Sequence, residues 1–497
     1  MLGLGQGAIN NITGSGAVTV TNTNTALVTG STATSIINSV GGLVGQFAAT
    51  TTMTVNNIIN TGNVSVTTAT SPSTAPSNSL IQDVGGLIGT LGGSNFNSAG
   101  NWRVTISNSS TSGNVSVAST TAANMSSNTT NIAQATGGLI GRVDYAGAAG
   151  RSFGGGLTLT NLSSNGNVSG YSSVGGVLGT SQLGSSSAGS NVYTNLSASG
   201  TITGFGGTIV ISNSGSSSPN ISYQGVGGVI GANYGTYVAQ ISSSHFDGGT
   251  VKSNGGTHIG GLVGTNTGLI TDSYATGTME MPSTPFTISA VTTDATGVMG
   301  GLVGYLGGSS TNAGISGSSY SNVTITLGSA ASPIAASFVG GLVGYVGAQA
   351  SYATTISGAY ARGDIKVYGY LASGSNVFSN KIGGLVGASV IPTAITGTAD
   401  VAADVLTVSG NMLTGSTTTN YLAVGTPVGG PGILPGTYIK ALMTGTGGAG
   451  TYQLNQSQTT GSALTITAYP KVYIDNSYAT GNVSGTDHVG GLAGALS

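Results

Sequence analysis

The sequence predicts an all-β fold, a parallel β-solenoid of about ten repeats with a small inserted all-β domain. Two recurring patterns and a matching composition support this prediction. The first pattern is the phrase Gly-Gly-Leu-Val-Gly or a near variant, which recurs at intervals of 33–52 residues until a longer last interval. The phrase begins at Gly41, Gly85, Gly137, Gly175, Gly227, Gly260, Gly300, Gly340, Gly383 and Gly490. A phrase at this period is typical of repeat proteins, which grow by stacking units.

The second pattern is an apolar residue followed by Asn or Asp at +2, Gly at +7 and another apolar residue at +9. It begins at Ile9, Val55, Ile106, Leu159, Tyr193, Ile270 and Ile474. The copy that begins at Ile356 has Gly358 in the Asn place, and two looser copies span Ile241–Val251 and Ile315–Ile325.

These patterns predict short strands, because apolar and β-branched residues alternate with Gly and Asn punctuation. Each fixed apolar residue should point inward and stack on its equivalent one coil away, which is worth roughly 1.5–3 kcal/mol per buried side chain. The Asn or Asp should form a ladder at a turn, since it tolerates left-handed backbone geometry. The Gly pairs and the +7 Gly are expected at corners of the coil, where only Gly fits. Leu-Val between the glycines is expected to be a short buried strand. Ten coils at about 4.8 Å per coil would make a rod roughly 50 Å long.

The domain organisation follows from the break in the period. We expect solenoid repeats over 1–387, an inserted small β domain over 388–470, and a final solenoid repeat over 471–497. The insertion contains short apolar segments such as Val405–Val408 between Gly and Pro turns, which favour strands. Variable stretches such as Thr67–Ser79 and Ser119–Ala135 are expected to be extensions of a coil or loops on one face.

The composition excludes several classes of function. Only 4% of the residues are charged and the net charge is -2, so no nucleic-acid partner is expected. Cysteine is absent, which excludes disulfides and thiolate metal sites. The sequence contains no run of 18 apolar residues, so no membrane-spanning helix is predicted. The first residues lack the pattern of a Sec signal peptide.

Candidate catalytic groups are few, because Glu280 is the sole Glu among eleven acidic residues. Asp272 falls at the turn ladder and Asp475 lies beside it, and a structural hydrogen bond is expected for both. Single Asp residues are scattered at Asp144, Asp247, Asp294 and Asp364, and His245, His258 and His488 lack metal-ligand spacing. Gly150–Gly154 matches the nucleophile-elbow pattern without the strand–turn–helix context that this motif needs. We therefore expect no catalytic, cofactor-binding or metal-binding residue and no enzyme activity; a polysaccharide-processing enzyme would require clustered carboxylates.

Two surface features leave alternatives open. Tyr274, Tyr320, Tyr360 and Tyr478 share a repeat place and would form either a structural stack, the favoured interpretation, or an exposed stripe that binds surface glycans. Sequons of the form Asn-x-Ser/Thr, such as Asn63-Val64-Ser65 and Asn482-Val483-Ser484, are numerous, as expected in a chain rich in Asn, Ser and Thr.

The phrase set resembles the GLUG motif repeat family of bacterial surface and secreted proteins. Gly260–Gly277 carries the resemblance best, with Gly260-Gly261-Leu262-Val263-Gly264 at its start. This resemblance implies β-helical architecture and a surface or adhesive role, without a particular ligand. Within the insertion, the stretch from Gly445 to Tyr452 resembles a β module of phage tails and bacterial surface proteins.

The two ends of the chain lie at complementary phases of the repeat, since Gly7–Asn11 matches Gly268–Asp272 and the chain closes just after the tenth phrase. We therefore expect a non-catalytic β-solenoid with a structural or adhesive role, extracellular or at the cell surface, that assembles head to tail into a homopolymeric filament. The alternatives are a fragment of a larger adhesin and a phage tail fibre or tail-associated β-helix.

Overall fold

The computed structural model is a stack of parallel strands, and it confirms the predicted all-β solenoid. The residues that the structure describes are 8–22, 37–47, 52–68, 81–92, 103–119, 133–144, 156–183, 191–205, 225–235, 238–253, 258–281, 297–307, 313–331, 333, 337–347, 354–369, 380–390, 395–408, 412–414, 417–419, 422, 426, 428–444, 449–460, 464–468 and 472–496. No helix occurs within these ranges.

Three parallel sheets form the solenoid. Sheet A has 22 strands: β1 Ala8–Gly14, β2 Val18–Asn22, β5 Met53–Asn60, β6 Val64–Thr68, β9 Val104–Thr111, β10 Val115–Ser119, β13 Leu157–Ser164, β14 Val168–Gly170, β17 Val192–Ala198, β18 Thr201–Gly204, β21 Gln240–Ser242, β22 His245–Ser253, β25 Leu269–Thr271, β26 Tyr274–Met281, β29 Ala313–Ser316, β30 Tyr320–Leu327, β33 Thr354–Ser357, β34 Tyr360–Ala361, β35 Ile365–Val367, β46 Val472–Asp475, β47 Tyr478–Ala479 and β48 Val483–Ser484.

Sheets B and C have ten strands each. Sheet B contains β3 Ile37–Gly41, β7 Ile81–Gly85, β11 Ala133–Gly137, β15 Ser173–Gly175, β19 Gly225–Gly227, β23 His258–Gly260, β27 Gly297–Gly300, β31 Ser337–Gly340, β36 Lys381–Gly383 and β49 Val489–Gly490. Sheet C contains β4 Val44–Phe47, β8 Ile88–Gly92, β12 Ile140–Asp144, β16 Leu178–Leu183, β20 Ile230–Gly235, β24 Val263–Asn266, β28 Val303–Gly307, β32 Val343–Gly347, β37 Val386–Val390 and β50 Ala493–Leu496.

One coil passes through sheet A, then sheet B, then sheet C. In the second coil, for example, β5 and β6 lie in sheet A, β7 in sheet B and β8 in sheet C. Each of the ten Gly-Gly phrases joins a sheet B strand to a sheet C strand, so the ten phrases correspond to ten coils. Successive coils pair in parallel and in register.

The fixed apolar residues of the second sequence pattern form two unbroken columns. The first column runs Ile9, Val55, Ile106, Leu159, Tyr193, Ile241, Ile270, Ile315, Ile356, Ile474. The second column runs Val18, Val64, Val115, Val168, Ile202, Val251, Met279, Ile325, Ile365, Val483. From Val55 to Ile356 the first column is at most 5% exposed, which confirms the predicted inward stacking.

One of the two looser sequence copies stays in register through a local bulge. The copy at Ile241–Val251 has one extra residue, and the structure places a register shift between Phe246 and Gly249 where β22 pairs with β26. Such a bulge absorbs an insertion while the residues on either side keep their partners.

The Gly-Gly phrase forms the corner between sheets B and C. In the second coil, Gly85 ends β7, Gly86 and Leu87 form the bend, and Ile88 begins β8. The expectation that both apolar residues of the phrase form a strand is therefore wrong for the first of them, which is buried at the bend. A Cβ on Gly86 would lie less than 3.0 Å from the carbonyl oxygen of Gly138 in the next coil, so the close approach of the two backbones requires glycine.

Strands between residues 395 and 468 form a separate antiparallel sheet, sheet D. Its strands are β38 Ile395–Ala402, β39 Val405–Val408, β40 Met412–Thr414, β41 Thr417–Thr419, β42 Val428–Gly429, β43 Ile439–Leu442, β44 Gly450–Leu454 and β45 Leu464–Ala468. Its own hydrophobic cluster includes Leu406, Ile439 and Tyr452. The solenoid strand β37 extends to Val390, three residues beyond the boundary predicted at 387.

Sheet D lies in the connection between sheet C of the ninth coil and sheet A of the tenth. Despite this long connection, Ile356 of the ninth coil pairs with Ile474 of the tenth in the same column as the other coils. Of the predicted variable stretches, Thr67 and Thr68 belong to β6, Ser119 to β10 and 133–135 to β11. The rest, 69–79 and 120–132, lie outside the described residues.

Candidate functional site

A column of left-handed residues marks the turn within sheet A. Asn11, Asn57, Asn108, Asn161, Asn195, Ser243, Asp272 and Asn476 have φ angles between 48° and 59°, and Gly317 and Gly358 complete the column with φ of 69° and 66°. Short polar residues and Gly enter this region at the lowest cost. The predicted left-handed turn is thereby confirmed in all ten coils, and Asn or Asp occupies it in every coil except those of Ser243, Gly317 and Gly358.

Side-chain amides join several members of this left-handed column. The Nδ2 of Asn57 donates to Oδ1 of Asn11 at 2.7 Å, the Nδ2 of Asn161 to Oδ1 of Asn108 at 2.8 Å, and the Nδ2 of Asn195 to Oδ1 of Asn161 at 2.9 Å. The Nδ2 of Asn108 instead donates to Oδ1 of a neighbouring residue, Asn56, at 2.8 Å. The amide groups in this column therefore hold adjacent coils together.

A second column of polar residues, which the sequence patterns missed, lies at the next turn. In three successive coils, the Asn side-chain oxygen accepts a hydrogen bond of 2.8 Å from a backbone N–H of the next coil. The acceptor and donor pairs are Asn63 and Asn114, Asn114 and Asn167, and Asn167 and Thr201. In the last two coils, Asp364 accepts from the backbone N–H of Asn482 at 2.8 Å. The recurring Gly-Asn-Val or Gly-Asp-Ile sequence is the signal that could have predicted this column.

Serine side chains reinforce the left-handed turn in several coils. The hydroxyl of Ser273 accepts from the backbone N–H of Ser244 at 3.0 Å and donates to the carbonyl oxygen of Thr271 at 2.7 Å. Ser477 makes the same pair of contacts with the N–H of Ala359 and the carbonyl of Asp475. Polar groups at the turn are therefore satisfied by neighbouring coils, as buried backbone groups require.

An aromatic stack runs along sheet A through its C-terminal coils, from β22 to β47. The rings of Tyr274, Tyr320, Tyr360 and Tyr478 have centroids 5.0–5.1 Å apart and lie within 5° of parallel. His245 extends the stack, 5.1 Å from Tyr274. The favoured prediction of a structural tyrosine stack is confirmed, whereas the participation of His245 was not predicted. Because each inner ring is covered on both faces, the stack presents ring edges and hydroxyl groups to solvent.

Charged groups flank this aromatic stack at both ends. His245 Nε2 lies 3.3 Å from Asp247 Oδ2, and burial together with a hydrogen bond to Asp247 raises the pKa of Tyr274 to about 12. The Arg362 guanidinium lies 4.5 Å from the ring centroid of Tyr360 and donates to the hydroxyl of Tyr478 at 3.3 Å. Tyr274 therefore remains protonated at neutral pH and acts as a hydrogen-bonding phenol.

We expect replacement of a central ring in this stack to destabilise the solenoid more than replacement of the last ring. Tyr320→Leu removes two stacking contacts and Tyr478→Leu removes one, and each contact is worth about 0.5–1.5 kcal/mol beyond buried area. The free energy of unfolding in urea should therefore fall about twice as far in Tyr320→Leu. Equal losses in the two variants would contradict a stack that contributes to stability through its ring contacts.

A buried carboxyl group on β7 of sheet B contacts β8 of sheet C. Asp83 is 3% exposed, and its Oδ2 accepts from the Thr90 hydroxyl at 2.8 Å. Its Oδ1 has no hydrogen-bond partner among the described residues. Burial raises the pKa of Asp83 to about 7, against the opposing effects of Arg142 and the Thr90 hydrogen bond. No sequence pattern had distinguished Asp83 from the other single aspartates.

The remaining predicted polar residues take separate structural positions. Asp144 pairs with Arg142 at 3.5 Å, and Oδ1 of Asp272 accepts from the backbone N–H of Ser318 at 3.1 Å. The Nδ1 of His258 lies 2.9 Å from the Thr265 hydroxyl. Asp294 and Gly150–Gly154 lie outside the described residues.

Two chemical features are absent within the ranges that the structure describes. No group of three His, Cys, Asp or Glu side chains is arranged to hold a metal ion. None of the described segments is a helix long and apolar enough to cross a membrane.

The family model described as the GLUG motif matches residues 255–279. The chain carries a GLUG motif. The matched segment covers one corner and most of one coil, from the Gly-Gly bend at Gly260 through the left-handed Asp272 to the inward Met279. No curated protein and no solved structure matched the chain. The likeness of the insertion to phage-tail modules has no support from these comparisons and stays a prediction.

Proposed function

We propose that this GLUG-motif solenoid is a non-catalytic structural protein of the cell surface or the extracellular space, and that it assembles head to tail. The observation that carries the proposal is the unfilled contact at each end of the coil stack. Stacking without closure generates filaments, and an open parallel edge with unpaired backbone groups favours the addition of further strands.

The second glycine of each Gly-Gly phrase shows the unfilled contact at one end. In the first nine coils, a Cβ at this position would lie less than 3.0 Å from a carbonyl oxygen of the following coil. In the tenth coil, a Cβ on Gly491 would meet nothing within 4 Å. Leu492 beside it is 46% exposed, whereas its equivalent Leu385 in the ninth coil is fully buried.

The +7 glycine shows the complementary contact at the other end. A Cβ on Gly62 would lie less than 3.0 Å from the carbonyl oxygen of Gly16, and a Cβ on Gly481 would do the same to Gly363. A Cβ on Gly16 itself would meet nothing within 4 Å. If a second copy continues the columns, Gly16 meets the carbonyl of Gly481 of that copy, while Gly491 meets the carbonyl of Gly42.

The experiment is to compare assembly of the wild-type chain with Gly16→Ala and Gly491→Ala by negative-stain electron microscopy and sedimentation velocity. We expect wild-type filaments that lengthen with concentration. Both variants should fold, because each new methyl group points into open space, and each alone should fail to assemble. An equimolar mixture should give dimers but nothing longer, because each variant retains one competent end.

Two outcomes would overturn the assembly proposal. One is a wild-type chain that remains a short rod at every concentration, and the other is a Gly491→Ala variant that forms filaments as readily as wild type. Circular dichroism of both variants provides the control for folding, since a loss of assembly is informative only when the β-sheet signal is unchanged.

The proposed surface location is supported by the GLUG motif, the absence of cysteine and the low charge of the chain. Antibody labelling of intact source cells would test it, and labelling confined to lysed cells would contradict it.

Surface glycans are a further proposed partner. Sugars stack on the faces of aromatic rings. Among the described tyrosines of the stack, Tyr478 has one ring face that no other ring covers, and the residue is 44% exposed. Glycan binding there would compete with head-to-tail assembly.

A further inference from the structure

Six sequons in the part of the chain that the structure describes fall into two structural classes, which the Asn-x-Ser pattern alone does not separate. Asn63, Asn114 and Asn167 each begin an Asn-Val-Ser sequon and lie in the second polar column, on consecutive coils. Asn108, Asn161 and Asn195 also begin sequons, but they lie in the left-handed column. The classes differ in how the side-chain amide is used.

In the first class, the side-chain amide oxygen accepts a hydrogen bond, while the side-chain amide nitrogen donates none to a described residue. Oδ1 of Asn63, Asn114 and Asn167 accepts a backbone N–H from the next coil at 2.8 Å. Their Nδ2 atoms donate to no other described residue, and all three side chains are exposed. The hydrogen bond to Oδ1 fixes the orientation of the amide, and the Nδ2 atom is left available to a reagent in solution.

In the second class, the amide nitrogen itself is a structural donor. The Nδ2 atoms of Asn108, Asn161 and Asn195 donate across coils at 2.8–2.9 Å. Asn482 resembles this class despite lying in the second polar column, because its Nδ2 donates to Asp364 at 3.1 Å. Modification of these nitrogens would require the ladder to open.

We propose that Asn63, Asn114 and Asn167 form an acceptor column for N-linked sugars. Asn-x-Ser/Thr is the acceptor sequence for this modification. In each sequon Val is buried, whereas Asn and the Ser two residues later alternate onto the outer face. The inference concerns an outer face of the first coils and is independent of head-to-tail assembly.

The chemical step transfers one sugar from a nucleotide-activated donor. The Nδ2 atom attacks the anomeric carbon, a C–N bond forms, the bond from that carbon to the donor phosphate breaks, and one proton leaves the nitrogen. The product keeps the amide oxygen and one N–H, so the Oδ1 hydrogen bond to the next coil is retained. With coils about 4.8 Å apart, neighbouring sugars would be in contact, which favours single or short unbranched sugars over branched glycans.

The experiment treats the folded, purified chain with a soluble N-glycosyltransferase and UDP-glucose, and then locates the added hexoses by peptide mass spectrometry. We expect Asn63, Asn114 and Asn167 to be modified at least ten times faster than Asn108, Asn161 and Asn195. In the denatured chain, both sets should react at similar rates, because the ladder no longer protects the second set. Ser116→Ala should remove the hexose from Asn114 alone.

The proposal is overturned if the folded chain is modified equally at both sets. It is also overturned if Asn63, Asn114 and Asn167 remain unmodified in the folded chain while the same enzyme modifies them in the denatured chain. Circular dichroism of the modified protein completes the test, because a column of this kind should accept sugars without loss of the β-sheet signal.

Discussion

Gly261→Ala should destabilise the solenoid by at least about 3 kcal/mol, because the added methyl group has no space. A Cβ on Gly261 would lie less than 3.0 Å from the carbonyl oxygen of Gly301 and 2.9 Å from the Cβ of Ala275. The carbonyl belongs to the backbone of the next coil, so relief of the clash requires two coils to separate. Overpacking in a well-packed core costs about 1–3 kcal/mol, and displacement of paired backbone adds to this cost.

The matched control for this substitution is Gly491→Ala, at the same place in the tenth coil. Its methyl group would meet nothing within 4 Å, so its effect should stay within about 0.5 kcal/mol. The measurement is the urea dependence of the far-ultraviolet circular dichroism of both variants at a concentration too low for assembly. Similar midpoints for the two variants would contradict the role of coil-to-coil contact at the Gly-Gly corner.

Asp83 should make the stability of the solenoid decrease as the pH rises from about 4 to about 7. Burial raises the pKa of this carboxyl from 3.8 to about 7 in the folded state, so the folded chain holds a proton that the unfolded chain has released. The contribution of Asp83 to the free energy of unfolding is therefore largest below the pKa of the unfolded state. It falls as the pH rises between the unfolded-state and folded-state pKa values, and it is constant above the folded-state pKa. At 1.36 kcal/mol per pKa unit, the decrease amounts to about 4 kcal/mol.

The test is urea denaturation of the wild-type chain and of Asp83→Asn at pH values from 4 to 8. Asp83→Asn cannot ionise, so it should lose the pH dependence that Asp83 contributes and be the more stable protein at pH 8. The Asn side chain retains an oxygen that accepts the Thr90 hydroxyl. Parallel pH profiles for the two proteins would show that Asp83 does not titrate across this interval.

The sequence by itself determined the number of coils, the inward columns and the left-handed turn. Each of these depends on a local rule that repeats: apolar residues at a fixed spacing, Gly pairs at corners and Asn at positive φ. Because every coil must satisfy the same local geometry, ten approximate copies specify the pattern even where Gly358 or Ser243 departs from it.

The tertiary structure decided which residues of different coils meet, since contacts between coils join residues that lie 28–119 positions apart in the chain. The pairing of Ile356 with Ile474 across the insertion, the addition of His245 to the tyrosine stack and the burial of Asp83 all arise from the register of neighbouring coils. The separation of the sequons has the same origin. Asn114 and Asn161 both begin an Asn-x-Ser sequon, but the stacking of coils leaves the amide nitrogen of Asn114 without a hydrogen bond among the described residues, while that of Asn161 is engaged.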